Sequence, residues 1–170
     1  MQLSKRGRNL VATVEGVEPY EFRPLPGRRG LELSWAFIDY ALGQQTDVPT
    51  STVLIRAVEG VDDEGEWREA GELTARLESE LSLEEGYALM HAVFYWQTVM
   101  GIKGAQAFID DGGGSDANTK AFKVLVSRTA PRLLPILLLL ESASQTNAGA
   151  TASTATPSGT KTSADDSASQ

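Results

Sequence analysis

The sequence predicts a mainly α (α+β) fold: a small helical bundle with an N-terminal β-hairpin and a disordered C-terminal tail. Two short stretches rich in β-branched and aromatic residues precede residue 24, and apolar residues recur at helical spacing between residues 31 and 129. Residues 142–170 hold mainly Ser, Thr, Ala and Gly and no large apolar residue, so they cannot bury enough surface to order themselves. The expected organisation is a flexible N-terminus at 1–8, one globular domain at 9–141 and a tail at 142–170.

The predicted hairpin occupies residues 10–23. Residues 10–14 (Leu-Val-Ala-Thr-Val) favour a strand, residues 15–18 a turn, and residues 20–23 (Tyr-Glu-Phe-Arg) the returning strand. Pro24 and Pro26 then end the hairpin, because proline supplies no donor for a further ladder.

Three elements follow before residue 81. A helix is predicted over residues 30–42, with Gly43 at its C-terminal cap. Its apolar stripe comprises Leu31, Trp35, Ile38 and Leu42, with Phe37 beside it. Residues 53–58 are too short a run to distinguish a strand from a helix. A charged helix is predicted over residues 67–80.

The clearest helix start is Ser82, since Ser82 and Glu85 have the spacing of a capping box. The helix is expected to reach about Met100. Its apolar residues form two stripes and cover most of its sides, which is typical of the central helix of a bundle. These stripes are Leu83, Tyr87, Met90 and Phe94, and Leu89, Ala92, Val93 and Trp96.

The remaining predicted elements are a short helix over 103–109 and a longer one that begins near residue 118 and ends at residue 127 or 129. Ser115 or Asp116 is expected to cap the longer helix. Residues 132–140 are strongly apolar and interrupted by Pro135, which indicates either a last core helix or an exposed patch that needs a partner.

Composition excludes several functions. The net charge is −8 and the pI about 4.7, which opposes general nucleic-acid binding because phosphate contacts need clustered Lys and Arg. Cysteine is absent, so thiolate chemistry is excluded. The apolar run at 133–140 is too short for a membrane helix. These features predict a cytoplasmic protein without nucleic-acid or membrane binding.

The polar residues do not form a recognisable catalytic or cofactor site. His91, the one histidine, lies in an apolar helix and is interpreted as structural. The acidic stretches 62–66 and 110–116 lack the ligand spacing of an EF-hand, and Gly112–Ser115 lacks the lysine of a P-loop. We therefore predict no enzyme activity, no metal and no cofactor.

Candidate partner contacts come from three features: a basic region, the aromatic residues and the apolar segment at 133–140. Arg28 and Arg29 belong to a basic N-terminal region opposed to an acidic stretch at 62–85, a separation compatible with a partner or a homo-oligomer. Aromatic residues favour the core first and a partner contact second. The candidates are Arg28, Arg29, Trp35, Tyr95, Trp96, Leu133, Leu134, Ile136 and Leu137.

Several segments resemble the tail assembly chaperones of long-tailed bacteriophages, especially those of actinobacteria. They are Tyr-Glu-Phe-Arg-Pro-Leu-Pro at 20–26, Arg-Arg-Gly-Leu-Glu-Leu at 28–33, Ala-Val-Phe-Tyr-Trp at 92–96 and Gly-Ile-Lys-Gly-Ala-Gln-Ala-Phe at 101–108. The similarity covers roughly residues 9–114, and a low-complexity tail follows.

The resemblance implies a non-catalytic, largely helical protein of the host cytoplasm. Such a protein binds the tape measure protein, keeps it soluble and helps recruit tail tube subunits. The alternative is a structural virion protein, either a tail or a head–tail connector subunit, and a DNA-binding regulator is disfavoured by the acidic middle of the chain.

Overall fold

The computed structural model describes residues 1–44, 48–135 and 138–139. It confirms the predicted class, a helical assembly with an N-terminal antiparallel sheet. The elements are β1 (Gln2–Arg6), β2 (Asn9–Thr13), β3 (Tyr20–Phe22), α1 (Gly27–Ala41), α2 (Thr50–Glu59), α3 (Glu72–Glu80), α4 (Leu83–Gln97), α5 (Gly101–Asp110), α6 (Ser115–Thr129) and a 3-10 turn at Pro131–Leu133. The chain divides into residues 1–137, which contain all of these elements, and residues 138–170.

The predicted hairpin is confirmed, and a third strand extends it. Leu10 pairs with Phe22 across β2 and β3. Residues 1–8 are not a flexible end, because β1 pairs antiparallel with β2. A two-residue turn joins them, in which Gly7 has φ +63°, the left-handed conformation that such hairpin turns require. The prediction missed β1 because this strand buries little, with only Leu3 partly buried.

The helical predictions hold in outline and fail at several boundaries. Residues 53–58 lie within the helix α2, which settles the ambiguity of that short run. Helix α3 begins at Glu72 rather than near Trp67, which instead forms an isolated β-bridge with Val61. Neither Ser115 nor Asp116 caps α6, since its N-cap position is Gly114.

Helix α4 is the central helix, as predicted, and buries seven consecutive or near-consecutive residues from Leu89 to Trp96. One predicted stripe is wrong at its N-terminal end: Leu83 is 92% exposed and Tyr87 is 40% exposed. The first turn of α4 is stabilised by capping rather than by packing, because Ser82 and Glu85 form the predicted capping box.

Replacing Ser82 with alanine is expected to lower the free energy of unfolding by about 1 kcal/mol, the usual value for an N-cap. Hydrogen bonds from Ser82 lower the pKa of Glu85 below its ordinary value of 4.5. That part of the stabilisation is present above pH 4.5 and is lost as the pH falls through the lower pKa of the folded state. Urea unfolding of the wild type and Ser82→Ala at neutral and acidic pH measures both effects. An equal difference at both pH values would show that the hydrogen bond between the Ser82 hydroxyl and the Glu85 carboxylate adds no stability.

The C-terminal apolar segment is partly described. Leu133 packs on a small cluster formed by Ile38, Val126 and Ala130, so this part of the segment belongs to the folded unit. Ile136, Leu137, Leu140 and the predicted tail at 142–170 lie outside the described residues. No helix in the described part of the chain is long and apolar enough to cross a bilayer.

Candidate partner-binding surfaces

Two of the predicted partner contacts are corrected by their burial. Tyr95 is fully buried, and its hydroxyl donates to the side-chain oxygen of Asn118 at 2.6 Å. Burial raises the pKa of Tyr95 well above its ordinary value, so the hydroxyl stays protonated and acts as a donor. Trp96 is 8% exposed and lies in the main core. Both side chains hold α4 in place and are not available to a partner.

Arg29 is also engaged within the chain. Its guanidinium donates to a Glu32 carboxylate oxygen at 2.8 Å and to the main-chain oxygen of Gly65 at 2.6 Å. It also lies over the Trp67 ring, 5.3 Å from the centroid. The hydrogen bond from Arg29 lowers the pKa of Glu32, outweighing the opposing effect of burial. Arg29 thus ties the loop at 60–67 to α1, which is a structural role.

Arg28 and Trp35 remain exposed on the outer side of α1. The Arg28 side chain is 91% exposed, and Trp35 is 40% exposed. Leu31 lies between them and is 46% exposed. We call this surface the α1 face; its residues are Arg28, Leu31, Glu32, Trp35 and Asp39, which border one shallow depression. The opposite side of α1 carries the buried residues Leu33 and Phe37.

Leu133 and Leu134 are not among the residues that border this depression. Leu133 and Leu134 are half-buried, and Leu133 packs against the cluster at Ile38. Ile136 and Leu137, the other predicted contacts here, lie outside the described residues. Leu138 and Leu139 are exposed.

A second surface, which the sequence analysis missed, is a groove between α5 and α6. Its volume is about 460 Å³. Small residues leave the depression open, and Val124 is 40% exposed at its side. We call it the α5–α6 groove, and its apolar lining comprises Met100, Ile102, Ala107, Phe108, Ala117, Ala121 and Val124.

Positive side chains dominate the polar lining of the α5–α6 groove. Lys103, Lys120 and Arg128 line it together with a single carboxylate, Asp111. Lys120 pairs with Asp111 at 3.4 Å, and Arg128 donates to the main-chain oxygen of Val99 at 3.5 Å. On a chain of net charge −8, an apolar groove with a cationic rim favours an apolar ligand that carries negative charge.

The sequence does contain a signal for one wall of this groove, which is the helical spacing of its residues on α6. Ala117, Ala121, Val124 and Arg128 follow the i, i+4, i+7, i+11 spacing of one helix side. The small residues in this stripe suggested no function on their own. Only the placement of α5 beside α6 makes them the floor of a groove.

His91 occupies a packed, non-polar environment. It is 2% exposed, its Nδ1 lies 3.0 Å from the main-chain oxygen of Tyr87, and its ring stacks near Tyr87 and Phe108. Burial lowers its pKa, so the imidazole is neutral at pH 7. The arrangement fits a structural histidine.

The carboxylates in and near the predicted acidic loop accept hydrogen bonds from main-chain amides. Asp62 accepts from the amides of Glu64 and Glu66 at 3.0 and 2.8 Å, which closes a turn. Glu59 accepts from the Gly71 amide and from both the amide and hydroxyl of Thr74, and so caps α3. Among residues 1–44, 48–135 and 138–139, no group of three or more acidic or histidine side chains is arranged to hold a metal ion.

Comparisons with known proteins identify no relative of this chain. No protein family model matches the chain, and neither a curated protein nor a solved structure matches it.

Proposed function

We propose that this protein is a non-enzymatic tail assembly chaperone of a long-tailed bacteriophage, acting in the host cytoplasm. The α5–α6 groove holds an amphipathic helix of the tape measure protein and keeps that protein soluble until tail tube subunits are recruited. The observation that carries the proposal is this groove, with its apolar floor and three cationic side chains.

The chemistry of the groove defines its ligand. Grooves between helices receive amphipathic helices, whose apolar face enters at i, i+3, i+4 and i+7 positions. Lys103 lies on α5, and Lys120 and Arg128 lie on α6, so cations stand on both walls. We therefore expect a client helix with an apolar stripe flanked by Asp or Glu.

The rest of the molecule is consistent with a chaperone. The net charge of −8 keeps a complex dispersed through mutual repulsion. Binding through an open groove rather than a closed interface allows the client to be released when the tail tube assembles around it. The sequence resemblance at residues 20–33 and 92–108 suggests that the client is a tape measure protein.

The proposal is tested by co-expression with the tape measure protein of the same phage. The wild-type chain should keep that protein in the soluble fraction and co-purify with it. The double variant Lys120→Glu/Arg128→Glu should weaken binding about tenfold or more, because it places negative charge against an acidic helix. Calorimetry with a client peptide measures the affinity, and the wild-type affinity should fall as salt is raised.

The matched control is Lys5→Glu/Arg8→Glu. Both residues are exposed, Lys5 in β1 and Arg8 in the turn that follows it, and the double reversal changes the net charge by the same amount. This control should bind like the wild type. An insoluble tape measure protein that the wild type neither rescues nor binds would refute the chaperone function, whereas equal binding by both double variants would place the client outside the groove.

A further inference from the structure

The α1 face combines exposed apolar residues with opposite charges at its two ends. Leu31 and Trp35 form its apolar centre and are 46% and 40% exposed, and the central carboxylate, Glu32, is paired within its own helix with Arg28 and Arg29. Arg28 lies at one end and Asp39 at the other, three helical turns or about 16 Å apart. Asp39 makes no ion pair with any residue in the described part of the chain.

Both charges are placed against the helix dipole. A helix favours carboxylates in its first turn and cations in its last. Helix α1 has no acidic residue in its first turn and no basic residue in its last; it begins with Arg28 and Arg29 and carries Asp39 near its end. Both Arg28 and Asp39 therefore lie at the end of α1 where the helix dipole disfavours their charge.

Arg28 does have an intrahelical partner, but a weak one. Its Nε lies 3.2 Å from Glu32, in the less favourable order with the cation N-terminal to the acid. The same Glu32 carboxylate accepts from Arg29 at 2.8 Å. Arg28 is therefore available to a second carboxylate.

We infer that the α1 face is a self-association surface on which two copies of this chain pair their α1 helices antiparallel about a two-fold axis. Antiparallel pairing places Arg28 of each copy opposite Asp39 of the other, and Trp35 of each copy next to Leu31 of the other. A two-fold interface must be self-complementary, and an apolar centre with a cation at one end and an anion at the other meets that condition. The dipoles of the two α1 helices then run in opposite directions, which is the favourable arrangement.

One helix pair buries less than the roughly 1,200–2,000 Å² of a standard stable interface. The dimer is therefore weak and depends on protein concentration. It uses a different surface from the α5–α6 groove and does not rest on the function proposed above.

Charge reversal in the full-length chain tests the inference by sedimentation equilibrium over a wide concentration range. The wild type should show a reversible monomer–dimer equilibrium. Arg28→Asp and Asp39→Arg should each weaken it about tenfold or more, because each homodimer then contains two like-charge pairs. Both substitutions agree with the helix dipole, so circular dichroism should show the fold intact.

Mixing the two single variants supplies the decisive control. The heterodimer of Arg28→Asp with Asp39→Arg has two opposite-charge pairs and should form about as well as the wild-type dimer. The groove variant Lys120→Glu/Arg128→Glu should also dimerise normally. A wild type that stays monomeric, single variants that associate like the wild type, or a mixture that fails to associate would each overturn the inference.

Discussion

Gly30→Ala is expected to destabilise the protein by about 3 kcal/mol, at the upper end of the usual range for overpacking. A Cβ at residue 30 would overlap the main-chain oxygen of Gln97, where α1 crosses the end of α4. Backbone cannot turn aside as a side chain can, so the two helices must separate. Urea denaturation gives the free energy of unfolding.

The same crossing is held by the Gln97 side chain, which explains why separation is unfavourable. Its oxygen accepts from the Leu25 amide at 2.8 Å, and its nitrogen donates to the main-chain oxygens of Arg23 and Ala57 at 2.9 and 3.2 Å. One side chain thus joins the segment before α1, the helix α2 and the end of α4. Moving α1 away pulls on residues 23–25 just before it and strains these hydrogen bonds, each of which contributes about 0.5–1.5 kcal/mol.

Gly86→Ala is the matched control for Gly30→Ala. Gly86 lies in α4, and a Cβ built there meets nothing within 4 Å. Alanine is the better helix former, so this substitution should stabilise the protein by about 0.5–1 kcal/mol. If Gly30→Ala were also stabilising, the close approach of α1 and α4 would be wrong.

Gly30 and Gly86 both lie in helices, but local sequence patterns do not show that only Gly30 has a close neighbour from another helix. Residue 30 was correctly placed in a helix, but the crossing partner that makes glycine necessary lies 67 positions along the chain. Local signals carried the predictions that succeeded: the Ser82–Glu85 spacing gave the capping box, and strand composition gave the pairing of β2 with β3. These features depend on residues a few positions apart.

The surfaces were harder to predict because residue type does not determine exposure. Trp35 and Trp96 are equally plausible as partner contacts, yet only Trp35 reaches the surface. Arg28 and Arg29 are neighbours in the sequence, but helical geometry points one to solvent and the other into the loop at 60–67. The α5–α6 groove has no counterpart in any single segment, because its two walls come from separate helices.

Phe94→Ala is expected to lower the free energy of unfolding by about 3–5 kcal/mol. Phe94 is fully buried in α4, and its ring centroid lies 4.5 Å from that of Phe37 and 5.2 Å from that of Tyr95. Removing the ring leaves a cavity between α1 and α4 and deletes two aromatic contacts. Since domains are typically stable by only about 5–15 kcal/mol, the variant should unfold at much lower urea, with a weakened near-ultraviolet dichroism signal from the core.

Leu83→Ala tests, in the same helix, whether the effect of a substitution follows the packing of the side chain or its place in the apolar sequence pattern. The apolar spacing assigned Leu83 and Phe94 to one buried stripe, but Leu83 is 92% exposed. Truncating it should change stability by no more than about 0.5 kcal/mol, as at other surface sites. A large loss at Leu83 would mean that the first turn of α4 packs against a partner. If that partner is a second copy of the chain, the loss should depend on protein concentration, because binding to the folded state adds to stability by mass action.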